Sequence, residues 1–123
     1  MRKVLLVEDD IFIAQLYLNA LEEDGDICVL LASDGQAGLD IAKSELPDLI
    51  LLDIILPKLD GFAVLEQLRL EDKTRNMPVI ILSNQSKEEE IQRARKLGVK
   101  DFFIKAHNTP GEIVMKVKSY LPN

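Results

Sequence analysis

Five short apolar runs, separated by helix-length segments, are the feature that most limits what this sequence can fold into. None of the runs alternates between apolar and polar residues. They span residues 4–7, 27–31, 49–52, 79–82 and 102–104. Strands that are apolar on both faces are typical of a parallel sheet that is covered by helices on both sides.

The segments between the runs have the period of amphipathic helices. Apolar residues recur every three or four positions, so each segment presents one apolar stripe. The stripes are Ile13/Leu16/Tyr17/Ala20/Leu21, Ala37/Ile41/Ala42, Val64/Leu65/Leu68, Ile91/Ala94/Leu97 and Ile113/Val117/Tyr120/Leu121. The alternation predicts an α/β fold, and right-handed crossovers limit it to a doubly wound (βα)5 parallel sheet.

Several residues predict where the helices begin. Two segments have the pattern of a capping box, which is a hydroxyl residue followed three positions later by glutamate. These pairs are Ser86 with Glu89 and Thr109 with Glu112. Pro110 fits the first turn after Thr109 because its missing N–H is not needed there. Asp34 and Asp60, each followed by glycine, are further candidate caps.

Size and composition exclude several classes of protein. A chain of 123 residues that is 47% hydrophobic suits one domain with a sizeable core. Its 21 acidic and 15 basic residues give a net charge of -6, which argues against direct binding to nucleic acid or to an anionic membrane. No apolar run approaches the roughly 18 residues of a membrane span. We therefore expect a soluble domain.

The single cysteine indicates the redox compartment. Cys28 cannot form an internal disulfide, and its place in an apolar run predicts a buried, inert thiol. This is consistent with a reducing cytosol, so we expect a cytoplasmic protein.

Polar residues come directly after four of the five runs. These residues are Glu8, Asp9, Asp10, Asp53, Ser83 and Lys105. Each alone has an ordinary interpretation as a helix cap, a turn residue or a solvated charge. In an open α/β sheet, however, ligands bind at the carboxyl ends of the strands, where all of them should lie. Carboxylates gathered without compensation repel one another, so the sequence predicts a bound cation.

Mg²⁺ fits this arrangement best. It is held by one or two carboxylates, water and substrate phosphate. A chain with one cysteine and one histidine offers no soft-metal site, and His107 lies in a polar loop. An aspartate can attack phosphorus to give an acyl phosphate, while a metal, a lysine and a hydroxyl hold the remaining charge. The residues that supply these four parts are Asp53, Asp9, Lys105 and Ser83.

At this point the sequence resembles a known family. The segments VLLVEDD, LILLDIILPKLDG, VIILSN and DFFIKA are similar, in order and spacing, to the successive motifs of response-regulator receiver domains. The resemblance covers the whole chain. It implies a flavodoxin-like sheet with strand order 2-1-3-4-5 and a single receiver domain over residues 1–123, with no output domain in this chain.

The resemblance also implies a role for individual residues. Asp53 matches the phosphoacceptor. The metal ligands that it implies are Glu8, Asp9, Asp53 and the backbone carbonyl of Ile55. Ser83 matches the switch hydroxyl and Phe102 the aromatic residue that rotates on activation. Lys105 matches the family's active-site lysine and completes the catalytic set with Asp53 and Ser83. Asp10 matches no ligand and is predicted to cap the first helix.

The implied function is a signalling switch. A sensor histidine kinase or a phosphotransfer protein would supply the phosphoryl group, and the domain would catalyse its own Mg²⁺-dependent phosphorylation and dephosphorylation at Asp53. Phosphorylation would change the surface around the fourth helix, fifth strand and fifth helix. That surface would control a downstream target protein or an output domain, and a phosphorylation-dependent homodimer is a further partner that the family allows.

Three positions depart from the usual family pattern. Ala106 follows Lys105 where the family commonly has a cis proline, and alanine has no tendency to adopt that linkage. Asn84 is larger than the small residue usual beside the switch hydroxyl, so we expect it to narrow access to Asp53. Ile55 is apolar where many relatives are polar.

The sequence disfavours two other functions and leaves a third as the alternative to the switch. A haloacid-dehalogenase-like phosphatase needs a second aspartate two residues after its nucleophile, and that position is Ile55. A flavodoxin-like electron carrier needs a loop rich in hydroxyl and glycine residues after the first strand, where this chain is acidic. The remaining alternative is a scaffold receiver that binds partners without being phosphorylated.

Overall fold

The computed structural model describes residues 1–84 and 87–121. Its elements alternate as predicted. They are β1 (Arg2–Val7), α1 (Ile11–Glu22), β2 (Ile27–Ala32), α2 (Gly35–Glu45), β3 (Leu49–Leu52), α3 (Gly61–Leu70), β4 (Val79–Ser83), α4 (Glu88–Lys96), β5 (Asp101–Ile104) and α5 (Pro110–Tyr120), with a 3-10 turn at Lys105–His107. In the described part of the chain no helix has both the length and the hydropathy of a bilayer span.

The five strands form one parallel sheet in the order β2-β1-β3-β4-β5. This confirms the predicted fold class and strand order. The register places Val7 beside Ala32 of β2 and Leu52 of β3. Residues that follow β1 and β3 therefore emerge at the same edge of the sheet, next to each other.

Helices cover both faces of the sheet, and each face has its own apolar core. Along β1, Leu5 and Val7 join the core beneath α2 and α3, whereas Val4 and Leu6 join the core beneath α1 and α5. The central strands β1, β3 and β4 are thus buried on both sides, as their unbroken apolar runs predict. Complete burial of each leucine or isoleucine contributes roughly 1.5–3 kcal/mol to stability.

The two edge strands are less buried than the sequence predicts. In β2, Leu31 is exposed and Cys28 is only half-buried, so the prediction of a buried thiol is wrong. All four residues of β5 are likewise half-buried. The reason is positional, because an edge strand has a neighbouring strand on one side only and its outer border faces solvent.

Side chains cap the helices largely where predicted. The carboxylates of Asp10, Asp34 and Asp60 accept backbone N–H groups at the starts of α1, α2 and α3. At α5, Thr109 and Glu112 form the predicted capping box, with Pro110 in the first turn. The helix α4 begins at Glu88 with Lys87 in the capping position, and the predicted cap Ser86 lies outside the described residues.

The helix α1 exposes an apolar side chain that its sequence periodicity assigned to the core. The buried residues of α1 are Ala14, Tyr17 and Leu21, whereas Leu16, which the periodicity placed in the stripe, is exposed together with Ile11 and Phe12. Residues 14, 17 and 21 recur every three or four positions and lie against the sheet. Leu16 is displaced by about 100° around the helix from Tyr17 and faces outward.

The helix α4 has one buried residue, Ala94, which packs into the apolar core. Its Arg93 guanidinium lies 4.4 Å from the centroid of the Phe62 ring in α3 and donates a 2.8 Å hydrogen bond to Glu66. A cation held over an aromatic ring contributes about 0.5–1 kcal/mol at an exposed position. Each of the other four α-helices buries at least three residues, so α4 is the helix with the fewest buried contacts in the described part of the chain.

Candidate functional site

The carboxyl ends of β1, β3 and β5 surround a cavity of about 230 Å³. Its walls include Glu8, Asp9, Asp53 and Lys105. The backbone fixes two of them, because the N–H of Asp53 donates to the carbonyl of Val7 at 3.1 Å and the N–H of Glu8 to that of Ala32 at 3.0 Å. These bonds continue the strand ladders by one residue, so both carboxylates are held at the rim of a rigid sheet.

Three carboxylates converge in this cavity. Glu8, Asp9 and Asp53 each place one oxygen within 4.8 Å of the other two. Glu8 and Asp53 are 3% and 8% exposed, whereas Asp9 is open to solvent. The set therefore combines two fixed oxygen ligands with one accessible ligand, which suits a hydrated divalent cation. The role of these residues as metal ligands stays a prediction.

Ile55 lies at the mouth of the same cavity. Its backbone N–H donates to Oδ1 of Asp53 at 3.3 Å, and its side chain is 56% exposed. The side chain thus stands beside Asp53 without being packed into the core. The proposed use of the Ile55 carbonyl as a metal ligand stays a prediction. Asn84 is exposed and also lines the cavity.

Lys105 neutralises part of the acidic charge. Its Nζ donates to Oδ2 of Asp53 at 2.9 Å and also to Oε1 of Glu8, with the lysine side chain 8% exposed. The peptide bond between Lys105 and Ala106 is trans. Alanine in place of the usual proline therefore does not keep the lysine from the two carboxylates.

Burial and neighbouring charge act in opposite directions on the pKa of Glu8 and on that of Lys105, and the net shift raises both values. Burial raises the pKa of Glu8 above 4.5, and the hydrogen bond and charge of Lys105 offset this only in part. Burial by itself would lower the pKa of Lys105, but its bonds to Glu8 and Asp53 raise it above 10.5. Lys105 therefore stays protonated. Its single positive charge does not fully compensate for the burial of the ionised Glu8 carboxylate.

Ser83 and Phe102 lie on neighbouring strands, outside the walls of the acidic cavity. Ser83 ends β4 fully buried and pairs with Ile104, and Phe102 pairs with Ile81. Phe102 is half-buried and borders a separate cavity of about 620 Å³ between α4, β5 and α5. Ser83 and Phe102 thus lie on the two strands between the acidic site and the surface formed by α4, β5 and α5. Their switching roles stay predictions.

One residue that lines the site was not predicted from the sequence. Ile13 lines the acidic cavity, although periodicity assigned it to the helix stripe of the core. A usable signal existed, since a helix that starts at residue 11 must place its first turn beside Glu8 and Asp9. Asp10 also borders the cavity, but its Oδ1 accepts the N–H groups of Phe12 and Ile13 at 3.0 and 3.2 Å and so caps α1, as predicted.

Comparison with known proteins identifies the family. Residues 4–118 match the model of the response regulator receiver domain. The alkaline phosphatase synthesis transcriptional regulatory protein PhoP of Bacillus subtilis is 38% identical over 120 residues, which cover 98% of this chain but 48% of PhoP. The chain thus spans about half the length of this relative.

Solved structures agree with the sequence match. The chemotaxis protein CheY4 of Vibrio cholerae has a TM-score of 0.89 at 26% identity, with 98% of this chain and 99% of CheY4 covered. The Mn²⁺-bound form of response regulator Rcp1 has a TM-score of 0.87 at 27% identity, with both chains covered completely. Because the family model matches residues 4–118 of the 123 and the strand order is the one that the family resemblance implies, this chain belongs to the response regulator receiver domains of two-component systems.

Proposed function

We propose that the domain is a phosphorylation switch in which Asp53 accepts a phosphoryl group in a Mg²⁺-dependent reaction. The observation that carries this proposal is the environment of the Asp53 carboxylate. Lys105 Nζ lies 2.9 Å from one oxygen, and oxygens of Glu8 and Asp9 lie within 4.8 Å. The rim of the sheet thus brings together a candidate nucleophile (Asp53), a lysine ammonium (Lys105) and two acidic side chains that could bind a metal ion (Glu8 and Asp9).

The residues present fit Mg²⁺. All candidate side-chain ligands are carboxylate oxygens, which this hard cation prefers, and the open side at Asp9 leaves room for water and phosphoryl oxygens. Glu8, Asp9 and Asp53 would hold the ion, together with the carbonyl of Ile55. When bound, it would neutralise charge on the phosphoryl oxygens. The Mn²⁺-bound form of Rcp1 is consistent with this assignment.

The chain's own groups would carry out the transfer. A carboxylate oxygen of Asp53 would form the bond to phosphorus while the bond from phosphorus to the donor's histidine nitrogen breaks. The electron pair of that bond stays with the nitrogen. Lys105 would then bind a phosphoryl oxygen, and the Ile55 N–H already points at Asp53 Oδ1. Dephosphorylation would be attack by water on the same phosphorus while the bond from phosphorus to the Asp53 oxygen breaks. The electron pair of that bond returns to the Asp53 carboxylate, the water gives up a proton to solvent, and inorganic phosphate leaves.

The phosphodonor would dock on α1. Ile11, Phe12 and Leu16 are 71%, 84% and 54% exposed and belong to the helix that starts beside the acidic site. Exposed apolar side chains grouped on one helix are typical of a protein-binding surface. This surface suits the apolar face of another helix, as in a histidine kinase or a phosphotransfer protein.

The output would come from the opposite side of the site. Phosphoryl oxygens would draw the Ser83 hydroxyl inward, and Phe102 would fill the space left, so that the face of α4, β5 and α5 changes. That face would bind a downstream protein, an output domain or a second copy of the domain. Direct binding of nucleic acid by the domain is not expected at a net charge of -6, and a cytoplasmic location is part of the proposal.

Mass spectrometry tests the proposal. The protein is incubated with Mg²⁺ and a small-molecule phosphodonor, and a gain of one phosphoryl group is expected on wild type but not on Asp53→Asn. Asp60→Asn is the matched control, since Asp60 caps α3 and asparagine caps equally well. Phosphorylation of Asp53→Asn would refute the site. No gain on wild type would favour the scaffold receiver instead.

A further inference from the structure

A second polar cavity lies at the opposite edge of the sheet from Asp53. It has a volume of about 390 Å³ and sits before the amino ends of β4 and β5. Four cationic residues line it, namely Arg69, Arg75, Lys96 and Lys100. No carboxylate is among its described lining residues. In a chain with a net charge of -6, this cavity is a local concentration of positive charge.

Arg69 lines this cavity and has no acidic partner among residues 1–84 and 87–121. Its guanidinium is half-buried and donates only to backbone carbonyls among the described residues. The acceptors are Leu97 (2.7 Å), Met77 (2.9 Å), Arg75 (3.1 Å), Gly98 (3.3 Å) and Thr74 (3.5 Å). Nη2 makes one of these bonds, to Gly98, so its second N–H is left to donate elsewhere. Burial lowers the pKa of Arg69, with no carboxylate to oppose it.

The other polar groups of the cavity are available for a ligand. Lys96, Lys100 and Asn76 are exposed, and within the described part of the chain none of their side chains forms an ion pair or hydrogen bond. Arg75 has one contact, at 3.5 Å, with Asp72, whose side chain is 94% exposed. So exposed a pair contributes little to stability and can give way to a competing anion.

Helix ends do not explain all four cations. The carboxyl ends of α3 and α4 meet here, and a cation at a helix carboxyl end is stabilised by the helix dipole. That accounts for Arg69 and Lys96. Arg75 lies in the loop after α3, and Lys100 directly precedes β5, so neither belongs to a last helical turn. Four like charges around one cavity repel one another unless an anion compensates them.

We propose that this cavity binds a small, multiply charged anion of the phosphate type. Its volume is at the lower end of the range of about 300–1,000 Å³ for small-molecule sites. Arg69 Nη2 is a donor held in place by the backbone bonds of its guanidinium, and the amide of Asn76 is a donor on a short side chain. The remaining positive charge comes from Arg75, Lys96 and Lys100. The phosphate could be free or carried by a nucleotide, and both present the same group to these donors.

The site can be tested apart from the proposed function, because it lies at the other edge of the sheet. Inorganic pyrophosphate is titrated into isotope-labelled Asp53→Asn protein without Mg²⁺ and at constant ionic strength. Saturable amide shifts are expected in residues 69–77 and 96–100, with none at Glu8, where the acidic cavity repels anions. Replacing both Lys96 and Lys100 by Gln should raise Kd roughly tenfold or more, since two charge-assisted contacts are lost.

A matched control separates a site from general charge. Lys116→Gln removes another exposed lysine, which belongs to α5 and does not line the cavity, and should leave Kd unchanged. Shifts that grow linearly without saturating, or an equal loss of affinity in the Lys116 variant, would overturn the proposal. A second titration with ADP distinguishes the two sources. If ADP binds more tightly than pyrophosphate, the ligand of the cavity is a nucleotide. If the two bind equally, the cavity recognises the phosphate group alone.

Discussion

Nζ of Lys105 lies 2.9 Å from Oδ2 of Asp53, although 52 positions separate the two residues in sequence. The same Nζ contacts Glu8, so one buried ammonium bridges two of the three carboxylates that line the cavity. A metal ion at this site would share those carboxylates with the lysine. The two cations would therefore oppose each other until phosphoryl oxygens arrive to bind both.

Removal of the lysine charge should strengthen metal binding. In Lys105→Met we expect Mg²⁺ affinity to rise roughly tenfold, because the positive charge beside the ion is gone. Lys105→Arg keeps the charge and is the control, for which no such gain is expected. Titration calorimetry measures both. An unchanged affinity in Lys105→Met would mean that the lysine and the metal do not share the carboxylates.

Asp9 and Asp10 should differ sharply in their effect on metal binding. Both border the acidic cavity, but only Asp9 belongs to the carboxylate cluster, whereas Asp10 caps α1. Asp9→Asn should therefore weaken Mg²⁺ binding by roughly tenfold or more. Asp10→Asn removes the same charge, keeps the cap and should have a small effect. Equal losses in the two variants would show that Mg²⁺ responds only to overall charge.

The stabilisation by Mg²⁺ should increase with pH. The pKa of Glu8 is raised in the fold, so its contribution to stability is present below about 4.5 and is lost as pH rises through the higher folded value. Mg²⁺ binds the ionised carboxylate and offsets that loss. The Mg²⁺-induced rise in melting temperature should thus be larger at about pH 7 than at about pH 5. Glu8→Gln should remove most of this difference, and a rise that is independent of pH in wild type would contradict the assignment.

The switch should be visible in amide spectra. A phosphoryl mimic bound at Asp53 should shift signals mainly between residues 83 and 120, because in the proposed switch Ser83 and Phe102 transmit the change to the face of α4, β5 and α5. The weakly packed α4 should respond most. Ser83→Ala should bind the mimic but confine the shifts to the site. A wild-type response restricted to residues 8–29 would refute this route.

The phosphorylated state should last for minutes or more. Hydrolysis needs a water in line with the phosphorus, and the exposed Ile55 side chain lies at the mouth of the cavity. We expect this side chain to shield the path of the water, and it has no polar group to orient one. Gln85, whose amide could orient a water, lies outside the described residues. Ile55→Asn should accelerate decay in Mg²⁺ buffer after the donor is removed. Decay of wild type within seconds, or an unchanged rate in the variant, would show that Ile55 does not set the lifetime.

The sequence by itself determined the order of the elements and which charged residues meet at one edge of the sheet. Unbroken apolar runs such as residues 49–52 require burial on both faces, which a doubly wound parallel sheet provides. The caps at Asp10 and Thr109 were readable because a helix start needs acceptors for its first N–H groups, whatever surrounds it. The convergence of Glu8 and Asp53 followed from strand direction alone.

Only the tertiary structure decided which side chains are buried and which residues from separate elements come into contact. Periodicity did not reveal that Leu16 faces outward or that Cys28 is half-buried, because burial depends on which strand is at the edge and on the rotation of each helix against the sheet. The contact of Lys105 with both carboxylates required the path of the chain after β5. The meeting of Arg69 with Lys100 at one cavity likewise has no local pattern, since it depends on where separate elements end in space.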